Sequence, residues 1–184
     1  MISLEAILQL QLHDQTLVFQ TDTVYGLACK LHSKTGVEKI IRLKHRDQDK
    51  PLAVLCGDIE TAMTLFKDPT QIAPLANKHW PGALTLVAKK SAAVPDFVTG
   101  HKDTVGVRIP NDPVALAILK RFGPLVATSL NDAGSPPVVR FEEALTYQDA
   151  VDYLVKGNDL SSVSSTVYDV ESKRILRQGD VVID

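Results

Sequence analysis

The sequence is poor in cysteine and has no long apolar run, and each absence narrows the class of protein. Cys29 and Cys56 lie far apart, and no CxxC motif is present. This suits a reducing compartment better than a disulfide-bonded scaffold. No apolar stretch approaches the roughly 18 residues of a membrane span. The first residues include Glu5 and lack the basic start and cleavage site of a signal peptide. We therefore expect a soluble, cytoplasmic protein that does not associate with membranes.

Common catalytic and nucleotide-binding motifs are also missing. There is no GxxxxGK[ST] phosphate loop, no GxGxxG dinucleotide motif and no GxSxG nucleophile elbow. The five histidines are scattered, and no carboxylate cluster has the spacing of a metal site. These absences give little support to a serine or cysteine nucleophile or to a metal held by the protein.

Length and charge restrict the organisation further. The 184 residues fit one domain, 1–184, and are enough to bury a sizeable core. A formal net charge of −2 argues against a protein that coats nucleic acid by bulk electrostatics. A local basic cluster remains compatible with this charge.

Apolar periodicity predicts a mixture of helices and strands without a regular alternation. The predicted helices cover 3–12, a segment from Thr35 towards Pro51, 58–66, 70–79, 113–122 with Asp112 as its cap, and 141–148. The predicted strands cover 17–19, 51–56, the part of 80–90 after Pro81-Gly82, 104–110, 124–131, 151–155, 165–170 and 174–177. This pattern predicts one α/β (α+β) domain, with helices flanking a twisted, mixed β-sheet.

The segment 42–51, RLKHRDQDKP, gathers cations near a helix end. On a continuing helix Arg46 and Lys50 would share a face, whereas Lys44 would follow the core-facing row and point inward or along a cleft wall. Cations at a helix C-terminus are favoured by the helix dipole alone, by about 0.3–1 kcal/mol each. Anion binding is the other interpretation.

Three further segments place polar groups near strand ends. TVGVRIP (104–110) alternates strictly, with Thr104, Gly106 and Arg108 on its polar face. TSLN (128–131) and SSVSST (161–166) carry hydroxyls and an amide, although ordinary turns explain them as well. Since sites in open α/β sheets lie outside strand ends, these groups and the cations are expected to converge on one cleft. Such a cleft suits a small polar ligand with carboxylate and phosphate groups.

Seven segments then follow one another between Leu17 and Asp180: TDTVYGLAC, KHRDQDKPLAVL, WPGALTLV, TVGVRIPNDP, VATSLNDAGSPP, SSTVYDV and ILRQGD. The ordered set resembles the YrdC/TsaC family, whose members are L-threonylcarbamoyladenylate synthases. The length resembles the short, single-domain form. The resemblance implies a YrdC-like fold around a large, positively charged cavity. It also implies the conversion of L-threonine, bicarbonate or CO2 and ATP to threonylcarbamoyl-AMP and pyrophosphate, for threonylcarbamoyladenosine at tRNA position 37.

The resemblance also assigns expected roles to individual residues. Threonine contacts are expected at Thr23, Tyr25, Arg108 and Ser165. ATP contacts are expected at Arg46, Lys50, Thr104, Ser129, Asn131 and Arg177. Lys44, Arg46 and Lys50 are expected to act catalytically, with Lys44 near the transferring group. Mg2+ is expected as a cofactor that arrives with ATP and is held mainly by phosphates and water.

Four residues depart from the family pattern: Gln20, Asp112, Leu130 and Gln178. Leu130 is expected to narrow the ATP pocket. Because of these departures, a paralogue that adenylates a different carbamate is an alternative interpretation. A binding module for double-stranded RNA or a ribosomal segment, without catalysis, is the alternative from another class. In the enzymatic interpretation, a separate threonylcarbamoyl transferase complex would complete the tRNA modification.

Overall fold

The computed structural model describes residues 1–132, 134–161 and 163–183. Its α-helices are α1 (Leu4–Leu8), α2 (Lys34–Leu43), α3 (Ile59–Thr64), α4 (Ala73–His79), α5 (Pro113–Phe122) and α6 (Phe141–Leu145). Its strands are β1 (Leu17–Phe19), β2 (Gly26–Lys30), β3 (Ala53–Leu55), β4 (Leu84–Lys89), β5 (Thr104–Arg108), β6 (Leu125–Ser129), β7 (Tyr153–Leu154), β8 (Thr166–Asp169) and β9 (Arg174–Arg177). Short 3-10 turns cover Pro69–Gln71 and Gln148–Ala150.

All of these strands form one sheet in the order β7-β1-β2-β6-β3-β5-β4-β8-β9. The pairs β1–β7, β3–β5 and β4–β8 are parallel, and the other neighbouring pairs are antiparallel. The predicted mixed α/β sheet is therefore confirmed.

The two sheet faces bury different apolar clusters. On β6, Val126 belongs to the larger cluster with residues of α2 and α4. Its neighbours Leu125 and Ala127 point to the opposite face and join the smaller cluster under α5, as strand alternation requires. Ala127 also lines a cavity over the central strands. The cavity therefore lies on the α5 face, over strands that α5 does not cover.

Local signals place α5 where the sequence predicts it. Oδ1 of Asp112 accepts a hydrogen bond from the Ala115 amide at 2.9 Å, and Pro113 is the first helical residue. Both features are typical of helix starts. The helix ends at Gly123, whose φ of 79° lies in the left-handed region that glycine tolerates.

Helix α2 ends earlier than predicted. The helix ends at Leu43 with Lys44 as its C-cap, and His45 follows with a φ of 46° in the left-handed region. Pro51 alone would have allowed the helix to continue to residue 50. The prediction that Arg46 and Lys50 share a helix face was therefore wrong, because both residues lie in the turn after the helix. The prediction that Lys44 points inward is confirmed, since it is 6% exposed.

Smaller differences concern segment ends. The opening helix covers Leu4–Leu8 rather than 3–12, and α6 ends at Leu145. Strand β2 has no counterpart among the predicted strands. None of the helices in the described part of the chain has the length and apolar character needed to cross a bilayer.

Candidate functional site

The cavity over the central strands has a volume of about 400 Å³ and a floor of small side chains. Across the central strands, Ala127 on β6 pairs with Ala53 on β3, and Ala53 pairs with Gly106 on β5. All three residues line the cavity. Because they carry at most one methyl group, a ligand can approach the main chain of three adjacent strands.

One end of the cavity is organised by Arg108, at the C-terminal end of β5. Its guanidinium donates to the Gly82 carbonyl and to Oγ1 of Thr23, both at 2.9 Å, and it forms an ion pair with Asp22. Arg108 is only 5% exposed. Burial lowers the pKa of Arg108, the Asp22 carboxylate opposes this shift, and the nearby charge of Arg177 adds to it. Two cationic groups therefore share this end, which favours an anionic ligand.

Ser165 and Thr85 complete the same end. Their hydroxyl oxygens are 2.8 Å apart, and Arg177 donates to the Ser165 hydroxyl at 3.0 Å and to its carbonyl at 2.9 Å. The strand register explains the meeting, since Thr85 pairs with Val167 and Val167 pairs with Arg177. The structure thus brings Thr23, Arg108 and Ser165 together as the sequence predicts. It also places Arg177, which was expected to contact ATP, at this same end, and the ATP role of Arg177 stays a prediction.

The other end of the cavity is lined by Arg46, Lys102, Thr104 and Ser129. Arg46 donates to the Pro51 carbonyl at 2.9 Å, while its Nε is buried and has no hydrogen-bond partner among the residues that the structure describes. Burial lowers the pKa of this guanidinium. Thr104 and Arg108 are four residues apart on one strand, so the two ends are separated by about 13 Å.

Lys102 reaches this end through a fixed turn. Gly100 has a φ of 57°, and a Cβ added there would clash with the main-chain oxygen of Asp49. The turn before β5 therefore packs directly against the turn that carries Arg46. Thr99 is fully buried and donates from its hydroxyl to the Lys102 carbonyl at 2.8 Å. These contacts hold the main chain of Lys102 in place beside the cavity.

Three residues with expected roles lie outside the cavity lining. Nζ of Lys44 donates to the Ser129 carbonyl at 2.8 Å, to the Asn131 carbonyl at 2.8 Å and to Oδ1 of Asn131 at 2.5 Å. Burial and the charge of Arg46 lower the pKa of Lys44 to about 8. Lys50 is exposed and pairs with Asp47 at 3.0 Å. The roles of Lys44, Lys50 and Asn131 stay predictions.

Tyr25 contributes to the cavity wall in a different way from the other expected threonine contacts. It is fully buried, and its hydroxyl donates to the Asn158 carbonyl at 2.8 Å. Burial, together with the charges of Asp159 and Asp112, raises the pKa of Tyr25 to about 12. Its hydroxyl is thus a neutral hydrogen-bond donor that is already committed to the protein.

Six polar residues of the lining had no role predicted from the sequence: Thr21, Thr85, Lys102, Thr128, Ser164 and Asp169. Thr85 alternates with Leu84 and Leu86 on β4, and this period-two pattern could have placed it on the polar face. No pattern in the sequence marks Lys102.

The charged side chains of the cavity lining are four cations, Arg46, Lys102, Arg108 and Arg177, and one carboxylate, Asp169. The predicted positive potential of the cavity stays a prediction.

A metal held by the protein finds no support in these side chains. Among residues 1–132, 134–161 and 163–183, no group of three or more His, Cys, Asp and Glu side chains could hold a metal ion. Asp169 is the carboxylate in the cavity lining, and its Oδ1 already accepts from the Glu171 and Ser172 amides. These residues do not form a cage for Mg2+.

The four departures from the family pattern lie outside the cavity lining. Leu130 is fully buried in the larger apolar cluster, and its amide donates to the Tyr25 carbonyl at 2.8 Å. Leu130 is not among the residues that line this cavity, and its expected effect on the ATP pocket stays a prediction. Gln178 is exposed and donates to the carbonyls of Gly179 and Val181. Gln20 and Asp112 are buried and hydrogen-bonded to each other.

Comparison with known proteins tests the family. Residues 9–179 match the Sua5/YciO/YrdC family model, which is described as telomere recombination. The chain belongs to this family. The match spans the strands that form the cavity as well as the flanking helices.

Individual relatives agree with this assignment. The chain is 35% identical over 156 residues to threonylcarbamoyl-AMP synthase of Pyrococcus abyssi, covering 83% of this chain and 46% of that protein. It is 28% identical over 172 residues to threonylcarbamoyl-AMP synthase of Escherichia coli K12, covering 90% of each. The crystal structure of P. abyssi Sua5 complexed with L-threonine superposes with a TM-score of 0.85 at 32% identity, covering 90% of this chain and 51% of that one. The chain thus spans about half the length of the P. abyssi proteins.

Proposed function

We propose that the protein is a threonylcarbamoyl-AMP synthase that uses L-threonine, bicarbonate or CO2, and ATP. One observation carries the proposal: Arg108 with Arg177 and Arg46 with Lys102 open into a single cavity from two ends about 13 Å apart along one strand. The carboxylate of an amino acid and the triphosphate of ATP need separate anion-binding sites, and the reacting groups of the two ligands must come together between these sites. The names of the relatives at 28–35% identity support the same activity.

The chemistry needs positioning more than a protein nucleophile. The threonine amine adds to CO2 and loses a proton, which gives a carbamate. A carbamate oxygen then attacks the α-phosphorus of ATP, and the bond to the β-phosphate breaks with release of pyrophosphate. Transfer reactions of this kind are catalysed mainly by orientation and by neutralisation of charge. The absence of a nucleophile motif in the sequence is consistent with this scheme.

The Arg108 end is proposed to hold threonine. Arg108 uses three of its five N–H donors on Gly82, Thr23 and Asp22, so two remain for the substrate carboxylate. The hydroxyls of Thr23 and Ser165 lie on the same wall and can bond the other polar groups of the substrate. Because a threonine methyl group is worth only about 1–3 kcal/mol in an apolar pocket, we expect serine to be a weaker substrate rather than an excluded one.

The opposite end is proposed to hold the triphosphate of ATP. The unpartnered Nε of Arg46 offers a buried donor at this end, and the ammonium of Lys102 adds a second cation. Thr104 and Ser129, which carry hydroxyls, line the cavity as well. Mg2+ is proposed to enter with ATP, where it would neutralise phosphate charge while bound to phosphate oxygens and water.

The product is proposed to pass to a separate threonylcarbamoyl transferase complex that modifies tRNA at position 37. A cytoplasmic location is part of this proposal, since ATP and tRNA are both present there. The buried, unpaired thiols of Cys29 and Cys56 are compatible with a reducing compartment.

The decisive experiment is mass spectrometry of the products formed from ATP, bicarbonate and labelled threonine. We expect threonylcarbamoyl-AMP together with pyrophosphate, and Arg46→Ala should abolish threonine-dependent pyrophosphate release while the far-ultraviolet circular dichroism spectrum is unchanged. Near-normal release by the folded variant would contradict the role of Arg46.

A labelled product from another amine would identify a paralogue with a different carbamate. Thermal stabilisation by a short RNA duplex, but not by ATP with threonine, would favour an RNA-binding module.

A further inference from the structure

Two of the residues that depart from the family pattern, Gln20 and Asp112, form one buried unit. Nε2 of Gln20 donates to Oδ2 of Asp112 at 2.7 Å, although the two residues are 92 positions apart. Their exposed fractions are 6% and 7%. The other carboxylate oxygen of Asp112 accepts from the Ala115 amide at the start of α5. Both oxygens of this buried carboxylate are therefore bonded.

Gln20 is bonded on its other side as well. Its Oε1 accepts from the Asn158 amide at 2.9 Å, and the Asn158 carbonyl accepts from the Tyr25 hydroxyl at 2.8 Å. A Cβ added at Gly157 would clash with the Tyr25 hydroxyl and with Oε1 of Gln20. The amide group of Gln20 is thus fixed by tight packing and by hydrogen bonds at both ends.

This unit joins the same two segments that meet at the Arg108 end of the cavity. Gln20 comes two residues before Asp22, and Asp112 comes four residues after Arg108. Within the cavity, Arg108 bonds to Asp22 and to Thr23. The buried bond joins the same two segments a second time. It leaves the space that a substrate would occupy free, because neither Gln20 nor Asp112 is among the lining residues.

We propose that Gln20 and Asp112 act as a positioning pair, which sets the distance between Arg108 and Thr23 and thereby the affinity for the amino-acid substrate. The inference rests on the proposed function. A displacement of about 1 Å at a substrate-binding group can cost about 100-fold in rate, even when the altered residue lies away from the chemistry. Neither residue is proposed to contact the substrate.

The test separates the positioning role from helix capping. Asp112→Ser keeps a hydroxyl that can cap α5 but is too short to reach Gln20. Gln20→Met removes the bond from the other side with a side chain of similar length. Asp58→Ser is the matched control, because Asp58 caps α3 through Oδ1 to the Thr61 amide at 2.7 Å and is exposed. Each variant and the double variant Gln20→Met/Asp112→Ser would be compared with wild type for KM and kcat with threonine, KM for ATP, and Tm.

We expect the threonine KM to rise at least tenfold in both single variants and in the double variant, with the ATP KM unchanged. The Tm loss of the double variant should be smaller than the sum of the single losses, because one shared bond is counted twice in that sum. Asp58→Ser should have the kinetics of wild type. Folded variants with a wild-type threonine KM would overturn the inference, and additive Tm losses would show that the two side chains are not coupled.

Failure of the inference is distinguishable from failure of the proposed function. If wild type forms no threonylcarbamoyl-AMP, the proposed function fails. The positioning role would then be read from thermal stabilisation by threonine alone, in wild type and in Asp112→Ser. If wild type is active and Asp112→Ser matches it in every kinetic constant, only the positioning role fails.

Discussion

The ammonium of Lys44 donates to two oxygens of Asn131, to Oδ1 at 2.5 Å and to the carbonyl at 2.8 Å. A third bond reaches the Ser129 carbonyl at the end of β6. Lys44 therefore connects the end of α2 to the strand end that borders the Arg46 side of the cavity. In this arrangement the three ammonium donors of the side chain are used by the protein.

Lys44→Met tests this connection through stability. The substitution leaves acceptors at the end of β6 without their donor, and we expect the free energy of unfolding to fall by about 1–3 kcal/mol. Chemical denaturation at pH 7 measures this change. The exposed Lys34 on α2 provides a control, and Lys34→Met should change the free energy of unfolding by less than about 0.5 kcal/mol.

The lowered pKa of Lys44 makes this contribution depend on pH. The pKa is about 8 in the folded protein and 10.5 for the unperturbed group. Between these values the unfolded chain binds a proton that the folded protein does not, so the free energy of unfolding rises with pH. From pH 8 to pH 9.5 we expect wild type to gain about 1 kcal/mol or more relative to Lys44→Met. Urea denaturation of both proteins across this range measures the difference, and parallel curves would contradict the lowered pKa.

Arg108→Lys tests the threonine end. A lysine keeps the charge but cannot reproduce the planar set of donors that reaches Gly82, Thr23 and Asp22. We expect kcat/KM for threonine to fall about 100-fold or more, as measured by pyrophosphate release. Arg140→Lys is the matched control at an exposed position, 3.9 Å from Glu142. Equal losses in both variants would show that the effect is not specific to the cavity.

Lys102→Gln tests a residue that the family resemblance does not assign. Removing the ammonium should weaken binding of the triphosphate. We expect the ATP KM to rise about three- to tenfold, because a charge at an exposed position contributes about 1 kcal/mol to such an interaction. The threonine KM should stay the same. The exposed lysine of α2 serves again as the control, as Lys34→Gln. An unchanged ATP KM in Lys102→Gln would place the triphosphate elsewhere in the cavity.

Gly106→Leu tests whether ligands bind over the floor of the cavity, because a leucine side chain at this position would fill that space. A Cβ at Gly106 would lie 3.3 Å from Cγ2 of Thr85 and 3.5 Å from Cγ2 of Val87, which small shifts can accommodate. Larger side chains extend into the cavity, and a strand gains stability when glycine is replaced. We therefore expect a folded protein that binds neither ATP nor threonine in isothermal titration calorimetry. Gly106→Ala is the control and should keep measurable binding of both.

Elements with a strong local signal could be predicted from the sequence. The cap and first proline of α5 identify its start, and the alternation in 104–108 assigns Thr104, Gly106 and Arg108 to one face, which is the face of the cavity. Strand β2 was missed because its residues are buried on both faces, and such a strand has no period-two pattern. The end of α2 was missed because the left-handed conformation of His45 leaves no mark in the sequence.

The partners of the site residues depend on contacts between distant segments. The sequence indicates that Arg108 points to a polar face, but its ion pair with Asp22 joins the end of β5 to the loop after β1, which is distant in the chain. The role of Lys44 near the transferring group stays a prediction, but the sequence did not indicate that its ammonium bonds to the end of β6. No local pattern predicts either contact, because both depend on how the loop after β1 and the turn after α2 pack on the sheet.

The floor strands β3 and β5 lie in the middle of the sheet order, with paired neighbours on both sides. Amide hydrogens in the centre of a sheet exchange with solvent mainly when the whole domain unfolds. Deuterium uptake at Ala53 and Val107 should therefore report global unfolding, while fraying at β7 or β9 leaves the shape of the floor unchanged. The depth of the cavity is accordingly set by the small side chains on these strands, whereas the polar groups around it come from the loops and turns at the rim as well as from strands.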